Sequence, residues 1–389
     1  MSIIVYNGKI ILKDHITEEG YVEINNGIIE NIGKSKPEKY IIDRADEKID
    51  AKGMYISPGF IDIHTHGGGG YEFGMSDELS YIIPCETHAK HGTTSLYPTI
   101  SSYTFDIMKN AIISYNKAKS ITYKGATMRG LHFEGPYFAA SQKGAQLEKY
   151  LRNPIESEYM EILDMSDDIK RWSGACELEG MENFAKVLKS RNILAAIGHS
   201  NATYDEVVKA LKWGFSLVTH LYSGCSTIKR EKGYRIPGVV EAAYLLDELD
   251  VEIICDGHHL PDSLIQFVYK FKGPEKTAVI TDSLSFAGIN APNGTLLRED
   301  IVVEDGVAKL VDRSAFGGSI ATYDMLIRTL IKAGIPFLDI IKMSTITPAR
   351  IMGIDKETGS LEKNKEADLI IFDEQINMHA VLVKGNRVL

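Results

Sequence analysis

Two histidines stand one residue apart at the end of an apolar segment, within IDIHTHGGGG at residues 61–70. Alternate residues of a strand project to the same side, so the imidazoles of His64 and His66 can face one ion. The four glycines that follow allow close approach of the backbone to a ligand and expose N–H groups. The segment therefore indicates a metal site. The alternative is a strand that happens to end in two histidines before a loop.

Four more imidazole or carboxylate side chains end other apolar segments: Glu134 in GLHFEGP, His199 in AAIGHS, His220 in LVTHLY and Asp282 in VITDS. Each alone is weak evidence, because a carboxylate often caps a helix and a single histidine is usually a surface or core residue. Together they are difficult to explain by packing, because buried ionisable groups are costly unless they are paired or bind a metal. Imidazole with carboxylate suits a divalent transition metal better than calcium.

The segments that would position these residues alternate between strands and helices. Helical stretches include TYDEVVKALKWG, with an N-cap near Thr203 and a stop at Gly214. Alternation repeated eight times predicts an α/β chain with a (β/α)8 TIM-like barrel over residues 56–357, whose active site lies at the carboxyl ends of the strands. The eight predicted strands are Tyr55–His64, Thr93–Thr99, Gly130–Glu134, Ser173–Glu177, Ala195–His199, Leu217–His220, Val251–Cys255 and Ala278–Asp282.

The two ends of the chain have a different character. Residues 1–55 and 358–389 consist of short apolar stretches separated by turns such as Asn-Gly and Lys-Gly. We expect both ends to form one small β-sandwich domain beside the barrel. Two unrelated edge hairpins are the alternative.

The composition argues against several classes of protein, among them nucleic-acid-binding, membrane and disulfide-rich proteins. The 389 residues carry 53 acidic and 43 basic side chains, a net charge of −10, which argues against a nucleic-acid or anionic membrane surface. The four cysteines are scattered, so neither a disulfide framework nor a structural zinc site is implied. The chain has no apolar run of membrane-spanning length, and its first residues match a signal peptide poorly. Both features predict a soluble cytoplasmic protein.

The motifs resemble those of the N-acetylglucosamine-6-phosphate deacetylases of the amidohydrolase superfamily. SGACELEG lacks the lysine that cyclic amidohydrolases such as dihydroorotase generally use, and LHFEGPYF resembles the HLEGP of the deacetylases. QKGAQ, AIGHSNATYDE, THLYSG, PGVVEAA, CDGHHL, VITDS and FGGSIAT follow in the order of that family, so the resemblance covers nearly the whole chain.

This resemblance implies roles for the residues above. His64 and His66 would hold one ion and His199 and His220 another, with Glu134 bridging them. The cofactor would be one or two divalent ions, zinc first, with iron, cobalt, manganese or nickel as alternatives. Asp282 would contact the metal and act as general base and then acid, so that metal-bound hydroxide releases acetate and glucosamine 6-phosphate.

The resemblance also implies a substrate pocket and a partner. Arg235 would bind the sugar phosphate from the neighbouring subunit of a homodimer, and His259 would assist from its own subunit. The other implied substrate contacts are Ala145, Gln146, Ser223, Gly224, Phe316 and Gly317.

Three departures from the family pattern concern specificity. Gln146 replaces the histidine of the family's KGAH loop, Ser223-Gly224 replaces Asn-Ala, and His258 adds an imidazole. They leave open a related amidohydrolase acting on another N-acyl amine, such as N-acetylgalactosamine 6-phosphate or an N-acyl amino acid. A non-catalytic scaffold is a more distant alternative, because no expected metal ligand is missing.

Overall fold

The computed structural model describes residues 1–389, and its centre is a barrel of eight parallel strands. Consecutive strands pair in parallel in chain order. The eighth strand meets the first where the N–H of Asp282 donates to the carbonyl of His64 at 2.9 Å. The predicted barrel is confirmed. Its strands are Phe60–Thr65, Thr93–Ile100, Leu131–Glu134, Ile169–Gly174, Leu194–Ile197, Phe215–Val218, Asp250–Ile254 and Thr277–Ile280.

Helices surround the barrel and bury their apolar faces against the strands. The helix that begins at Tyr204 shows how the sequence sets such an element. Thr203 and Glu206 form a capping box at its start, and Gly214, with φ of 114°, ends it. No helix of the chain combines the length and apolar character needed to cross a membrane. The α-helices are Lys39–Asp43, Leu79–Lys90, Phe105–Lys119, Glu156–Asp164, Met181–Ser190, Tyr204–Trp213, Val239–Leu245, Asp262–Lys272, Tyr323–Lys332, Phe337–Ser344 and Ile346–Ile351, and the 3-10 turns are Ala140–Gln142 and Glu148–Tyr150.

Two of the predicted strands were placed wrongly. The first divides at Gly59, where an added Cβ would lie 2.2 Å from the side chain of Thr94. Tyr55–Pro58 joins another sheet, and only the part from Phe60 enters the barrel. The fourth strand is Ile169–Gly174 rather than Ser173–Glu177, because its lysine and arginine interrupt the apolar run by which a strand is recognised.

The chain ends share a second sheet of eight strands with its own apolar cluster of 15 buried residues. Tyr55–Pro58 pairs antiparallel with Leu369–Phe372, which joins the amino-terminal strands to the carboxyl-terminal ones. The division into a domain of 1–55 with 358–389 and a barrel of 56–357 remains our proposal. The sheet strands are Ser2–Ile11, Ile16–Asn25, Ile28–Gly33, Glu47–Asp50, Tyr55–Pro58, Leu369–Phe372, Met378–Val383 and Asn386–Arg387.

Short strands complete the mouth of the barrel. A four-stranded antiparallel sheet follows the eighth barrel strand and ends in Phe316–Gly318. A hairpin of Lys229–Glu231 and Tyr234–Ile236 follows the sixth. The remaining short strands are Gly67–Gly68, Tyr71–Glu72, Thr127–Met128, Leu296–Arg298, Ile301–Glu304 and Val307–Leu310.

One arginine links the barrel to the second sheet. Arg129 donates to Ser95 of the second barrel strand at 2.9 Å and to Asp368, beside the sheet strand Leu369–Phe372, at 3.0 Å. It also pairs with Glu366. The Arg129 side chain is 7 % exposed and that of Asp368 is fully buried. Removal of the arginine would therefore leave a buried carboxylate without its counter-charge.

We predict that Arg129→Met lowers the free energy of unfolding by about 3 kcal/mol, the lower part of the range for breaking a buried pair. Chemical denaturation of the full chain measures it. Arg313→Met is the matched control, because Arg313 pairs with Glu304 at 3.2 Å on an exposed surface and should cost less than about 1 kcal/mol. Equal losses in the two variants would contradict the structural role of Arg129.

Candidate active site

Four imidazoles surround one carboxylate at the carboxyl ends of the barrel strands. Glu134 Oε1 lies 2.9 Å from His220 Nε2 and 3.2 Å from His199 Nε2. Its Oε2 lies 3.4 Å from His66 Nε2, and His64 Nε2 is 3.2 Å from that of His66. The donor atoms form two groups, His64 with His66 and Glu134, and Glu134 with His199 and His220. Glu134 is thus common to both groups, as the bridging arrangement requires.

The spacing of these atoms fits a divalent metal ion. Zinc–nitrogen bonds of about 2.1 Å place tetrahedral neighbours about 3.4 Å apart, close to the distances above. Burial disfavours a charge on His66, but hydrogen bonds with Asp282 and Glu134 raise the pKa of His66 to about 10. Metal binding here would therefore release protons.

The Nδ1 atoms of two candidate ligands are held by backbone carbonyls. His199 Nδ1 lies 2.8 Å from the carbonyl of Gln142, and His220 Nδ1 lies 3.0 Å from the carbonyl of Ser223. A carbonyl only accepts, so each Nδ1 carries a proton, which leaves Nε2 as the ring nitrogen that can bind a metal ion. Gly224 permits the first contact, because an added Cβ would lie 2.8 Å from His199 Nδ1.

Asp282 stands beside the first group. Its Oδ1 lies 3.2 Å from His66 Nε2 and 3.5 Å from His64 Nε2. Burial alone would raise the pKa of Asp282, but the charge on His64 and a hydrogen bond with His66 hold that pKa below its usual value. Asp282 is therefore ionised at neutral pH, as a proton acceptor must be.

Three of the site residues have left-handed backbone conformations. The φ angles are 47° at His199, 29° at His220 and 47° at Asp282, each just past the end of its strand. Such conformations are uncommon for residues other than glycine and cost of order 1–3 kcal/mol each. Here they turn the chain so that the three side chains enter the same space.

Three of the four glycines after His66 do not offer their N–H groups to a ligand, contrary to expectation. Gly67, Gly69 and Gly70 donate to the carbonyls of Ser283, Ala287 and Ser285, at 2.9, 2.8 and 2.7 Å. These bonds fasten the loop after the first strand to the loop after the eighth, at the seam where the barrel closes.

A cavity opens above the two candidate metal-binding groups, and most of the predicted substrate residues line it. These are Ala145, Gln146, Ser223, Gly224, His259, Phe316 and Gly317. His259 is oriented by Asp256, whose Oδ2 lies 2.8 Å from its Nδ1, and its ring lies 4.8 Å from that of Phe316. His258 is exposed and outside the cavity wall, so the extra imidazole does not alter the pocket.

Gln146 contacts the carboxylate that the two groups share. Its Nε2 donates to Glu134 Oε2 at 2.8 Å, and its Oε1 accepts from the N–H of Ser102 at 3.2 Å. An amide cannot carry a proton in catalysis. At this position the side chain therefore orients Glu134 rather than transferring protons.

Arg235 lies apart from the cavity of its own chain. It is on the exposed hairpin of Lys229–Ile236, and its guanidinium donates to the carbonyl of Gly233 at 3.0 Å. Within one chain it therefore cannot be counted among the residues of the cavity wall.

Sequence reasoning missed several residues at the site. Glu72, Tyr103 and Arg298 line the cavity, and Arg171 and Glu252 lie beneath the metal-binding groups with no exposed surface. The signal that could have revealed Arg171 and Glu252 was a charged residue within a barrel strand, in IKRWSG and DVEII respectively.

Residues 55–388 match the family model described as Amidohydrolase family. The chain belongs to the amidohydrolase family. It is 28% identical to an N-acetylglucosamine-6-phosphate deacetylase of Haemophilus influenzae over 99% of each chain. It is 26% identical to an N-acetylgalactosamine-6-phosphate deacetylase of Shewanella, over 98% of this chain and 95% of the relative. The crystal structure of the N-acetylglucosamine-6-phosphate deacetylase of Pasteurella multocida superposes with a TM-score of 0.91 at 28% identity, covering 100% and 99% of the two chains.

We predict that Glu134→Ala loses metal from both groups of this amidohydrolase, because its carboxylate belongs to each. The loss of affinity should exceed the roughly tenfold to hundredfold typical for losing a residue outside the ligand set. Elemental analysis after dialysis measures the metal content per chain. Glu72→Ala is the control, a cavity glutamate in neither group. Wild-type metal content in Glu134→Ala would show that the groups are not the metal site.

Proposed function

We propose that this chain is a metal-dependent deacetylase that converts N-acetylglucosamine 6-phosphate into glucosamine 6-phosphate and acetate. The observation that carries the proposal is Glu134, shared between two pairs of histidines with Asp282 beside them. Relatives that cover nearly the whole chain are deacetylases of amino-sugar phosphates by name.

The proposed cofactor is zinc, with one ion in each group. His64 and His66 would hold one ion, His199 and His220 the other, and Glu134 both. The donor set of four imidazoles and one carboxylate suits zinc, although iron, cobalt, manganese and nickel accept the same donors. When bound, such an ion supplies a water of lowered pKa and polarises the acetyl carbonyl.

The residues of the chain then move one proton twice. Asp282 Oδ1, ionised and beside His66, takes a proton from the attacking water as general base. The same oxygen returns the proton to the departing amine nitrogen, since an amine leaves readily only when protonated. Gln146 holds Glu134 and carries no proton, so Asp282 performs both transfers.

The proposed phosphate site combines two subunits. His259 lines the cavity, whereas Arg235 would come from the partner in a homodimer. The hairpin of Arg235 projects from the surface, with Tyr234 76 % exposed at its tip and Ile228 56 % exposed at its base. The cavity's own Arg298 is already engaged by Asp300 and by the carbonyl of Ala145. Because the charge of Arg298 is compensated, we propose that an arginine of the partner subunit binds the phosphate.

We place this activity in the cytoplasm. Cys85, Cys176, Cys225 and Cys255 are all free and buried, as expected where thiols are kept reduced.

We predict that Asp282→Asn lowers kcat by about 10²–10⁴, the usual contribution of a general acid–base residue. Metal content should stay near that of the unaltered chain, because Glu134 and the four histidines remain. Steady-state kinetics and elemental analysis on the same preparation measure the two effects. Asp106→Asn, at an exposed helix start, is the control. An unchanged kcat in Asp282→Asn would refute the assigned role.

Acetate release from N-acetylglucosamine 6-phosphate tests the substrate. We expect kcat/KM to exceed that for N-acetylglucosamine by roughly tenfold to hundredfold, the worth of one charge-assisted contact to phosphate. Arg235→Met should abolish this preference, and Lys232→Met, in the same hairpin, should keep it. Preference for N-acetylgalactosamine 6-phosphate would favour the alternative amidohydrolase, and equal turnover without phosphate would contradict the anion site.

A further inference from the structure

A buried ion pair lies beneath the metal-binding groups, inside the barrel. Arg171 of the fourth strand donates through Nη2 to Glu252 Oε2 of the seventh strand at 2.8 Å, and through Nη1 to the other carboxylate oxygen. Neither side chain has exposed surface. Desolvation makes such a pair weak support for stability, and apolar residues of similar volume often serve as well. Its place in the barrel therefore points to a role other than packing.

The carboxylate of Glu252 contacts one ligand from each histidine pair. Its Oε2 lies 3.5 Å from His64 Nδ1 and accepts from the backbone N–H of His220 at 3.4 Å. Its backbone carbonyl accepts from the N–H of Leu221 at 2.8 Å. One residue of the seventh strand thus reaches ligands on the first and sixth strands.

Arg171 contacts the residues that precede the same two ligands. Its Nη1 donates to the carbonyl of Ile63 at 3.0 Å, and its Nη2 donates to Thr219 Oγ1 at 3.0 Å. The guanidinium is rigid and planar, so its donors hold fixed relative positions. The guanidinium therefore holds Glu252 in a defined position relative to the residues that precede His64 and His220.

His64 is the ligand whose outer nitrogen lacks a close partner. The Nδ1 atoms of His66, His199 and His220 each have an oxygen at 2.8–3.0 Å. His64 Nδ1 is fully buried and has no hydrogen-bond partner, and the Glu252 carboxylate, 3.5 Å away, is the acceptor available to it. A carboxylate on the outer nitrogen of a metal-binding histidine fixes its tautomer and strengthens it as a ligand.

We propose that Glu252 is a positioning residue for the metal site, which accepts a hydrogen bond from Nδ1–H of His64 and so leaves Nε2 of His64 free to bind the ion. Arg171 keeps Glu252 in place and balances its charge. The pair belongs to the binding of metal and does not contact substrate. This inference rests on the proposed metal site and is independent of the proposed sugar.

The test measures metal affinity of the full chain by competition with a chelator, using zinc. Glu252→Gln keeps the shape of the side chain and removes its charge, so we expect affinity to fall tenfold to hundredfold. This variant also leaves Arg171 unpaired. Arg171→Met/Glu252→Gln removes both charges and separates the two effects.

The double variant decides between positioning and charge balance. If Glu252 positions His64, the double variant unfolds thermally like the unaltered chain when both are free of metal, and it still binds zinc at least about tenfold more weakly. If Glu252 only neutralises Arg171, the double variant regains full affinity, which would overturn the inference. Failure of the unaltered chain to bind zinc would overturn the proposed function as well, so the two failures are distinct.

A measurement on the unaltered, zinc-loaded chain does not depend on how the variants fold. Long-range ¹H–¹⁵N correlation spectra of chain labelled at histidine report which ring nitrogen of His64 carries the proton. We expect protonated Nδ1 and zinc-bound Nε2, with the Nδ1 proton shifted downfield by the carboxylate. A proton on Nε2, or an Nδ1 proton without that shift, would contradict the role of Glu252.

Discussion

The Glu134 carboxylate among four imidazoles is the interaction on which the site depends. Five ionisable side chains converge at the end of a barrel with at most 7 % of each exposed, and such burial is tolerated only with full compensation. Burial would raise the pKa of Glu134, but hydrogen bonds from His199 and His220 hold it well below its usual range. The surrounding contacts follow from keeping that carboxylate charged and in place.

The loops after the first and eighth strands solve a second problem, the closure of the barrel. No continuous ladder joins these two strands. The carbonyl of Ser283 accepts from both His66 and Gly67, and the N–H of Asp282 donates to the carbonyl of His64. The same hydrogen bonds therefore close the barrel and place His64, His66 and Asp282.

The barrel and the convergence of the candidate metal ligands could be predicted because their signals are local in the chain. Each ligand follows an apolar strand, and barrel geometry brings strand ends together. Arg171 and Glu252 could not be assigned in this way, since their partners are distant in sequence and a charge within a strand reads as a sign of exposure. The fourth strand was misplaced for the same reason. The glycines after His66 indicate a loop with exposed N–H groups, which could bind either a ligand or another loop of the protein. Only the tertiary contacts distinguish these two uses.

The left-handed conformations of His199, His220 and Asp282 place functional side chains in the site at a cost in stability. Asparagine or glycine would adopt the same backbone more readily, so losing the functional side chain would remove some of the strain it imposes. A barrel of this kind that no longer needed its reaction would gain stability by drifting at these three positions first. This chain has histidine, histidine and aspartate at all three, which is the composition of a working enzyme rather than of a retired scaffold.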